Sequence, residues 1–229
     1  MVPIGLRQKP LLEYVVRLLE FHGIKDLVFL VNYKAEQIKN YFQDGARFNV
    51  KISYIGDDPS SKGTGGAVLN TYRQKAVNMK DTLLVYYGDI LTNINISEML
   101  RYHKEHAAWA TLALASGFKV RVGVADLKAD GRIQEFIEKP RLEKPVSVGV
   151  IALKGETLKE IALLKKEKPE IDLMGEVIPY FIRDNKPVYG YLSDAFWYDV
   201  VSTEAYEKLS PEFVDQKFKE VLSNSTFSK

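Results

Sequence analysis

Between residues 9 and 106, helical and strand-like patterns take turns, joined by loops of a few residues. No other feature of the chain constrains its fold as strongly. In residues 9–20, Pro10 comes early, apolar side chains follow at helical spacing and Gly23 acts as a stop, which predicts an amphipathic helix. Residues 26–31 are a continuous apolar run and read as a strand. Residues 34–42 read as a second helix closed by Asp44 and Gly45, and residues 50–55 as an alternating strand. The glycine-rich stretch Gly63, Thr64, Gly65, Gly66 opens a helical pattern that runs to about Ala76. Residues 82–90 are a β-forming run broken by Gly88 and Asp89, and residues 96–106 form another helix. Helix–strand alternation with short connections means βαβ units and a mainly parallel sheet. Ligands of such sheets bind at the carboxyl ends of the strands. Asp89 sits at one of these ends, where it either caps its turn or offers a hard oxygen ligand to a divalent cation on a phosphate.

From Trp109 the texture changes. Residues 109–115, 122–127, 133–137 and 146–153 are strand-like with little helix between them, and Ala129, Asp130 and Gly131 make a turn. Glu138, Lys139 and Pro140 follow the third of these runs directly. Helical patterns return at 156–166 and 172–183, and short strands are expected at 187–191 and 195–200, the second ending near Asp199. Residues 203–222 look helical with a break at Ser210 and Pro211, and the polar tail 223–229 is expected to fray. No repeat or linker separates the two textures, so one core shared by both is expected.

Composition narrows the chemistry. The 229 residues contain no cysteine, which excludes disulfides, thiolate metal sites and a cysteine nucleophile, and fits a cytoplasmic setting. A net charge of +2 gives no bulk attraction to nucleic acid or membrane, and no apolar run approaches the roughly 20 residues of a membrane span. His103 and His106 share a helical face with no third ligand in sight, so a solvated surface is predicted for them.

Taken in order, the motifs resemble those of the sugar-1-phosphate nucleotidyltransferases. The resemblance covers Met1 to about Leu209. Met1 to Gly5 followed by Lys9 to Tyr14 is similar to the family's "PVGGKPILEY" segment, and Gly63 to Ala67 to its base-binding "GTAGA" loop. Gly88 and Asp89 match its "GD" metal motif, and Phe136 to Pro140 its "F-x-EKP" sugar-phosphate motif. Trp197 to Val200 with Ala205 and Tyr206 is similar to its closing "W-x-DVGTPESY". Each motif is weak alone, and their order is what carries the resemblance.

The resemblance implies an α/β fold with a Rossmann-like, mainly parallel sheet flanked by helices and a β-rich second half. It divides a single domain, 1–229, into a nucleotide-binding half (1–107), a sugar-phosphate-binding half (108–209) and a C-terminal helix and tail (210–229). It implies in-line attack of a sugar-1-phosphate on a nucleoside triphosphate with loss of pyrophosphate, a reaction that depends on positioning and charge neutralisation. Asp89 and Asp199 would hold Mg2+, Lys139 would meet the sugar phosphate, and Glu138 would accept from sugar hydroxyls. Asp58, Gly63, Thr64 and Gly88 would flank the nucleotide, and Gly123, Ser147 and Gly149 the sugar. Beside these stand plainer readings, a surface ion pair for Glu138 and Lys139 and turn glycines for the rest. The implied partners are a nucleoside triphosphate and a sugar-1-phosphate, with no nucleic acid or membrane, and a homo-oligomer is compatible with all of this.

The sequence also departs from the family. A first strand, a "GGxGTRL" phosphate loop and a Lys-Pro are not found ahead of Met1; Val122, Ser147 and Val201 stand where the family has Tyr, Asn and Gly. The missing strand would lie mid-sheet, so a gap with bare edges is expected between residues 26–31 and 82–90. Little nucleotidyl transfer by residues 1–229 is expected, because the triphosphate lacks its cradle. The alternative function is a non-catalytic sugar-nucleotide binder or a regulatory partner subunit.

Overall fold

The computed structural model describes residues 1–120, 122–200, 206 and 209–224. Val201, Ala205, the start of the last expected helix and the tail beyond Asn224 lie outside the described residues.

The expected βαβ order is present. Strand β1 (Pro3–Ile4) and strand β2 (Lys9–Pro10) form a small ribbon ahead of helix α1 (Leu11–Phe21). Strand β3 (Asp26–Val31), helix α2 (Ala35–Phe42) and strand β4 (Lys51–Gly56) follow, with β3 and β4 parallel from Asp26 opposite Lys51 to Val31 opposite Gly56. Helix α3 (Gly63–Arg73) leads to strand β5 (Thr82–Tyr86), which gives way to strand β6 (Ile90–Thr92) and helix α4 (Ile96–Glu105).

The second half supplies strand β7 (Ala110–Ala115), a hairpin of strands β8 (Val124–Leu127) and β9 (Ile133–Ile137), and strand β10 (Val146–Lys154). Helix α5 (Thr157–Glu167), a π-helical turn (Leu173–Val177) and helix α6 (Ile178–Arg183) precede strand β11 (Val188–Leu192) and strand β12 (Trp197–Asp199). Helices α7 (Pro211–Lys217) and α8 (Lys219–Asn224) come last.

β5, β10, β7 and β11 form one sheet in the order β11-β7-β10-β5. β7 and β11 are parallel, whereas β10 is antiparallel to both of its neighbours, so β10 alone opposes the other three and the sheet is mixed. The reversal follows from the β8–β9 excursion, which returns the chain to the end of the sheet where β7 leaves it, with Val146 opposite Ala115. β10 is also where the halves join, since it pairs with β5 of the first and β7 of the second.

Two apolar clusters pack against this frame. One gathers Leu11, Val15 and Leu18 of α1 with Ile96 and Met99 of α4, and with Val214 and Phe218 of the C-terminal helices. Tyr14 fastens the C-terminal helices to α1 by donating to Asp215 at 2.9 Å and meeting the Phe218 ring edge-on. The other collects Val68 and Leu69 of α3, Leu158 and Ile161 of α5, and Phe181 of α6.

Two local expectations are corrected. Residues 172–183 are not one regular helix: Pro179 has no N–H to continue the ladder, and just ahead of it the turn widens so that Val177 N–H reaches the carbonyl of Asp172. His103 is not on a solvated surface. It is 4% exposed, and its Nδ1 lies 2.8 Å from Thr111 Oγ1 of β7, so it faces the sheet while His106 faces outward.

Burial holds the His103 and His22 imidazoles below their usual range. A histidine whose folded pKa is depressed contributes its stability above the unfolded value of about 6.5 and loses it as pH falls through the folded one. Stability is therefore expected to drop as pH falls from about 6.5 through the depressed folded values. Urea midpoints across that window check the slope, which should become shallower in H103N because Asn keeps a partner for Thr111 without titrating.

Candidate functional site

The turn from Tyr87 to Asp89 lies at the carboxyl end of β5, closed by Ile90 N–H donating to the carbonyl of Tyr87 at 3.1 Å. β12 runs antiparallel to β6 with Asp199 opposite Ile90, and the amide of Val200 donates to the carbonyl of Asp89 at 3.1 Å. Asp89 and Asp199, 110 positions apart in the chain, thus sit one ladder step apart. Strict alternation along a ribbon would turn their side chains to opposite faces, but Asp89 precedes the ladder and belongs to the turn, where that alternation does not hold. Asp89 is exposed and Asp199 half-buried.

Gly149 packs on this turn. Its φ is +72°, its carbonyl accepts from Tyr87 N–H at 3.0 Å, and a Cβ there would lie 2.9 Å from Ile90 and 3.4 Å from Tyr87. It falls at the register shift of β10 against β7 between Ser147 and Ile151, which bends the strand locally. Ser147, on the same bent strand, is exposed.

The hairpin carries a second group. Gly123 lies under the Phe136 ring and the Glu138 carboxylate, because a Cβ at Gly123 would stand 2.3 Å from one and 2.9 Å from the other. Glu138 and Lys139 form an ion pair of 3.4 Å with both side chains 62% exposed, and Lys139 holds a left-handed backbone. The base of the hairpin is tied across by Val120 N–H to the carbonyl of Pro140 and Leu142 N–H to that of Phe118. Phe118 stacks on Trp197 of β12 at 6.0 Å, which links this group to the strand that carries Asp199.

The glycine loop is held by a segment far away in sequence. Gly65 N–H donates to the carbonyl of Ile171 at 2.9 Å, and Thr64 Oγ1 donates to Asp172 Oδ2 at 2.8 Å while accepting from Leu173 N–H at 2.7 Å. A Cβ at Gly63, whose φ is +79°, would fall 2.3 Å from the carbonyl of Ile171, so only glycine lets the two segments meet. Asp172 was not a sequence candidate. Its signal is the acidic pair Asp172 and Glu176: Asp172 accepts from Gly175 N–H and Glu176 from Asp172 N–H at 2.9 Å, a capping box widened by one residue because the turn is π-helical. Thr64→Val leaves the Leu173 amide without its acceptor and should lower stability by about 2 kcal/mol. Thr64→Ser should recover most of it, and urea unfolding measures both.

Asp58 turns inward on its own loop. It accepts from the Ser60 amide at 2.8 Å and the Ser60 hydroxyl at 2.7 Å, which hold its carboxyl below the usual carboxylate range. Thr64, Tyr87, Gly88, Asp89 and Val200 line one end of a groove of about 1550 Å3, whereas Asp58, Gly123, Glu138, Lys139, Ser147 and Gly149 lie outside it. Two carboxylates suit a hard divalent cation, although among the described residues no cluster of three or more acidic or imidazole groups completes a cage.

The family pattern described as nucleotidyl transferase matches residues 1–216. The chain belongs to the nucleotidyl transferase family. This nucleotidyl transferase chain is 30% identical over 220 residues to a UTP–glucose-1-phosphate uridylyltransferase of Synechocystis, covering 90% of itself and 55% of that protein. It is 24% identical over 211 residues to a mannose-1-phosphate guanylyltransferase of Mycobacterium tuberculosis, covering 90% of itself and 56% of that protein. The chain therefore spans about half the length of these curated relatives. The solved structure of HddC from Yersinia pseudotuberculosis has the same fold, with a TM-score of 0.68 at 18% identity over 92% of this chain and 88% of that one. Sugar-phosphate nucleotidyltransferases are thus its relatives by sequence, and the α/β architecture is common to them. Among the described residues no helix is long and apolar enough to cross a membrane.

Proposed function

We propose that this chain handles a nucleoside triphosphate and a sugar-1-phosphate, transferring the nucleoside monophosphate to the sugar phosphate and releasing pyrophosphate. The observation that carries the reading is the β6–β12 pairing, which puts Asp199 and Asp89 one ladder step apart at the end of the sheet where ligands of this fold class bind. Both residues supply oxygen ligands, and Mg2+ held between them would neutralise charge on the phosphates. The rest of its coordination would come from substrate oxygens and water, as is usual for Mg2+.

The chain's own groups would then do the positioning. The main chain of Gly63 and Thr64, fixed by Ile171 and Asp172, would meet the base. Gly88, which lines the groove, would leave room for the substrate to lie on backbone beside Asp89, and Gly149, packed on Tyr87 and Ile90, would hold that turn in place. Glu138 would accept from sugar hydroxyls, and Lys139 would meet the sugar phosphate as a point charge. Asp58, spent on Ser60, would act by shaping its loop.

A second reading, a binder of sugar nucleotides that does not turn over, is favoured by one observation: among the described residues no strand joins β3 to β5, so the groove beside Asp89 is open along the sheet. Pyrophosphate release with Mg2+, each common nucleoside triphosphate, and glucose-, mannose- and heptose-1-phosphates tests the first reading. Mg2+-dependent binding of NDP-sugars without turnover selects the second, and neither turnover nor binding overturns both. Where transfer is found, Lys139→Ala should raise the KM for the sugar-1-phosphate about tenfold or more, since a charge-assisted contact is worth roughly 1.5–3 kcal/mol. Its melting temperature should stay put, because an exposed ion pair contributes little to folding.

A further inference from the structure

The sheet that carries β10 ends at β11, and among the described residues β11 bonds only β7. Trp109 N–H donates to the carbonyl of Pro187 at 2.8 Å and Ser193 N–H to that of Leu114 at 2.9 Å, so the odd-numbered residues of this stretch turn their main chain to β7. By alternation the N–H and C=O groups of Val188, Gly190 and Leu192 turn outward. Edge strands are usually blunted by a charge, a proline or a bulge. Residues 188–192 contain none of these, and Leu192 is 58% exposed.

This edge is complementary to itself. When two copies meet antiparallel with Gly190 on the two-fold axis, Gly190 faces Gly190 and Val188 faces Leu192, and each pair exchanges both main-chain bonds. Every outward N–H and C=O of the strand is then satisfied. Tyr189 falls opposite Tyr191 in the closer, non-hydrogen-bonded positions, where aromatic pairs stabilise a sheet. Both rings already stand in an aromatic row, His106 against Tyr189 at 4.7 Å and Tyr102 against Tyr191 at 5.8 Å, which the pairing continues from one copy into the other. The flanks fix the register. Lys186 and Asp194 stand two residues beyond either end of the strand, and pairing about Gly190 sets Lys186 of each copy opposite Asp194 of the other. Centred on Tyr189 or Tyr191, the pairing would set Lys186 opposite Leu192 or Phe196 instead. Within its own copy Lys186 rests over the Trp109 ring and meets Asp184 at 3.1 Å, which holds it beside the strand.

We propose that β11 is a dimerisation edge: it pairs antiparallel with β11 of a second copy of this chain about a two-fold axis at Gly190, joining the two four-stranded sheets into one. The uncharged strand supplies the main-chain bonds, and the Lys186–Asp194 match selects this register and this partner. The proposal rests on the fold and not on the proposed activity. β11 and β5 are at opposite ends of the sheet, so the pairing leaves the groove at Asp89 open in both copies.

The test is sedimentation of the chain between about 5 and 500 µM, alone and in three variants. Asp194→Lys and Lys186→Asp each set like charges opposite one another at both flanks, whereas a mixture of the two variants restores opposite charges. Leu192→Pro removes an outward N–H that β7 does not use. A concentration-dependent dimer is expected, about tenfold weaker in each charge variant, with the mixture forming a heterodimer near the original affinity. Leu192→Pro should stay monomeric. Amide exchange in the unaltered chain gives a second reading that needs no variant to fold. At the higher concentration the amides of Val188, Gly190 and Leu192 should slow by about threefold or more, while those of Tyr189 and Tyr191, which turn to β7 at either concentration, should not change. A monomer throughout the range, a dimer that both charge variants leave intact, a mixture no tighter than its components, or slowing confined to amides outside β11 overturns the proposal.

Discussion

Asp89→Asn and Asp199→Asn are each expected to abolish metal-dependent handling of the nucleotide while leaving the fold in place. The carboxylate charge is what draws Mg2+; the isosteric amide keeps the shape and loses the charge. Metal-assisted neutralisation is worth several kcal/mol in transfer reactions, so at least about a hundredfold loss of pyrophosphate release is expected. If the chain binds without turnover, the corresponding readout is a loss of about tenfold or more in Mg2+-dependent NDP-sugar affinity. Asp89 is exposed, and its replacement should move the unfolding free energy by no more than about 0.5 kcal/mol. Unchanged metal dependence in both variants would return Asp89 to the role of a turn residue.

Phe181→Ala is expected to have the largest effect on folding. Phe181 is fully buried, meets the Trp109 ring edge-on at 5.8 Å and fills the cluster between α3, α5 and α6. Truncating a buried Phe costs about 3–5 kcal/mol, through lost transfer energy and the cavity left behind. The total stability of a domain is only about 5–15 kcal/mol, and a sheet with two bare edges offers little reserve. Urea unfolding should show the midpoint falling with an unchanged slope. The variant should also lose the fixed path of the Ile171 to Leu173 segment that holds Thr64, since Ile171 and Leu173 belong to the same cluster. Phe181→Leu, which keeps most of the volume, should cost less than half as much.

The sequence by itself was enough for the periodic elements. Helical spacing in residues 9–20, the apolar run of 26–31 and the β-forming run ending at Gly88 and Asp89 specify α1, β3 and β5 within a residue or two, because side-chain period follows directly from backbone geometry. The order of short motifs was likewise enough to identify the family, and the expected gap between residues 26–31 and 82–90 is present as the groove between β3 and β5.

What only the tertiary structure decided involves partners distant in the chain. That Thr64 is held by Asp172, that Asp199 comes to rest beside Asp89, and that Gly123 lies under Glu138 are contacts across more than a dozen residues, which no local period encodes. His103 shows the same limit. Its helical neighbours place it on a face with His106, and only the packing of α4 on β7 buries it against Thr111. The reversal of β10 is of this kind too: its residues are as apolar as those of a parallel strand, and its direction is set by the end of the sheet at which the β8–β9 hairpin releases it. Local pattern specifies what an element is, while the meeting of elements specifies what each side chain faces.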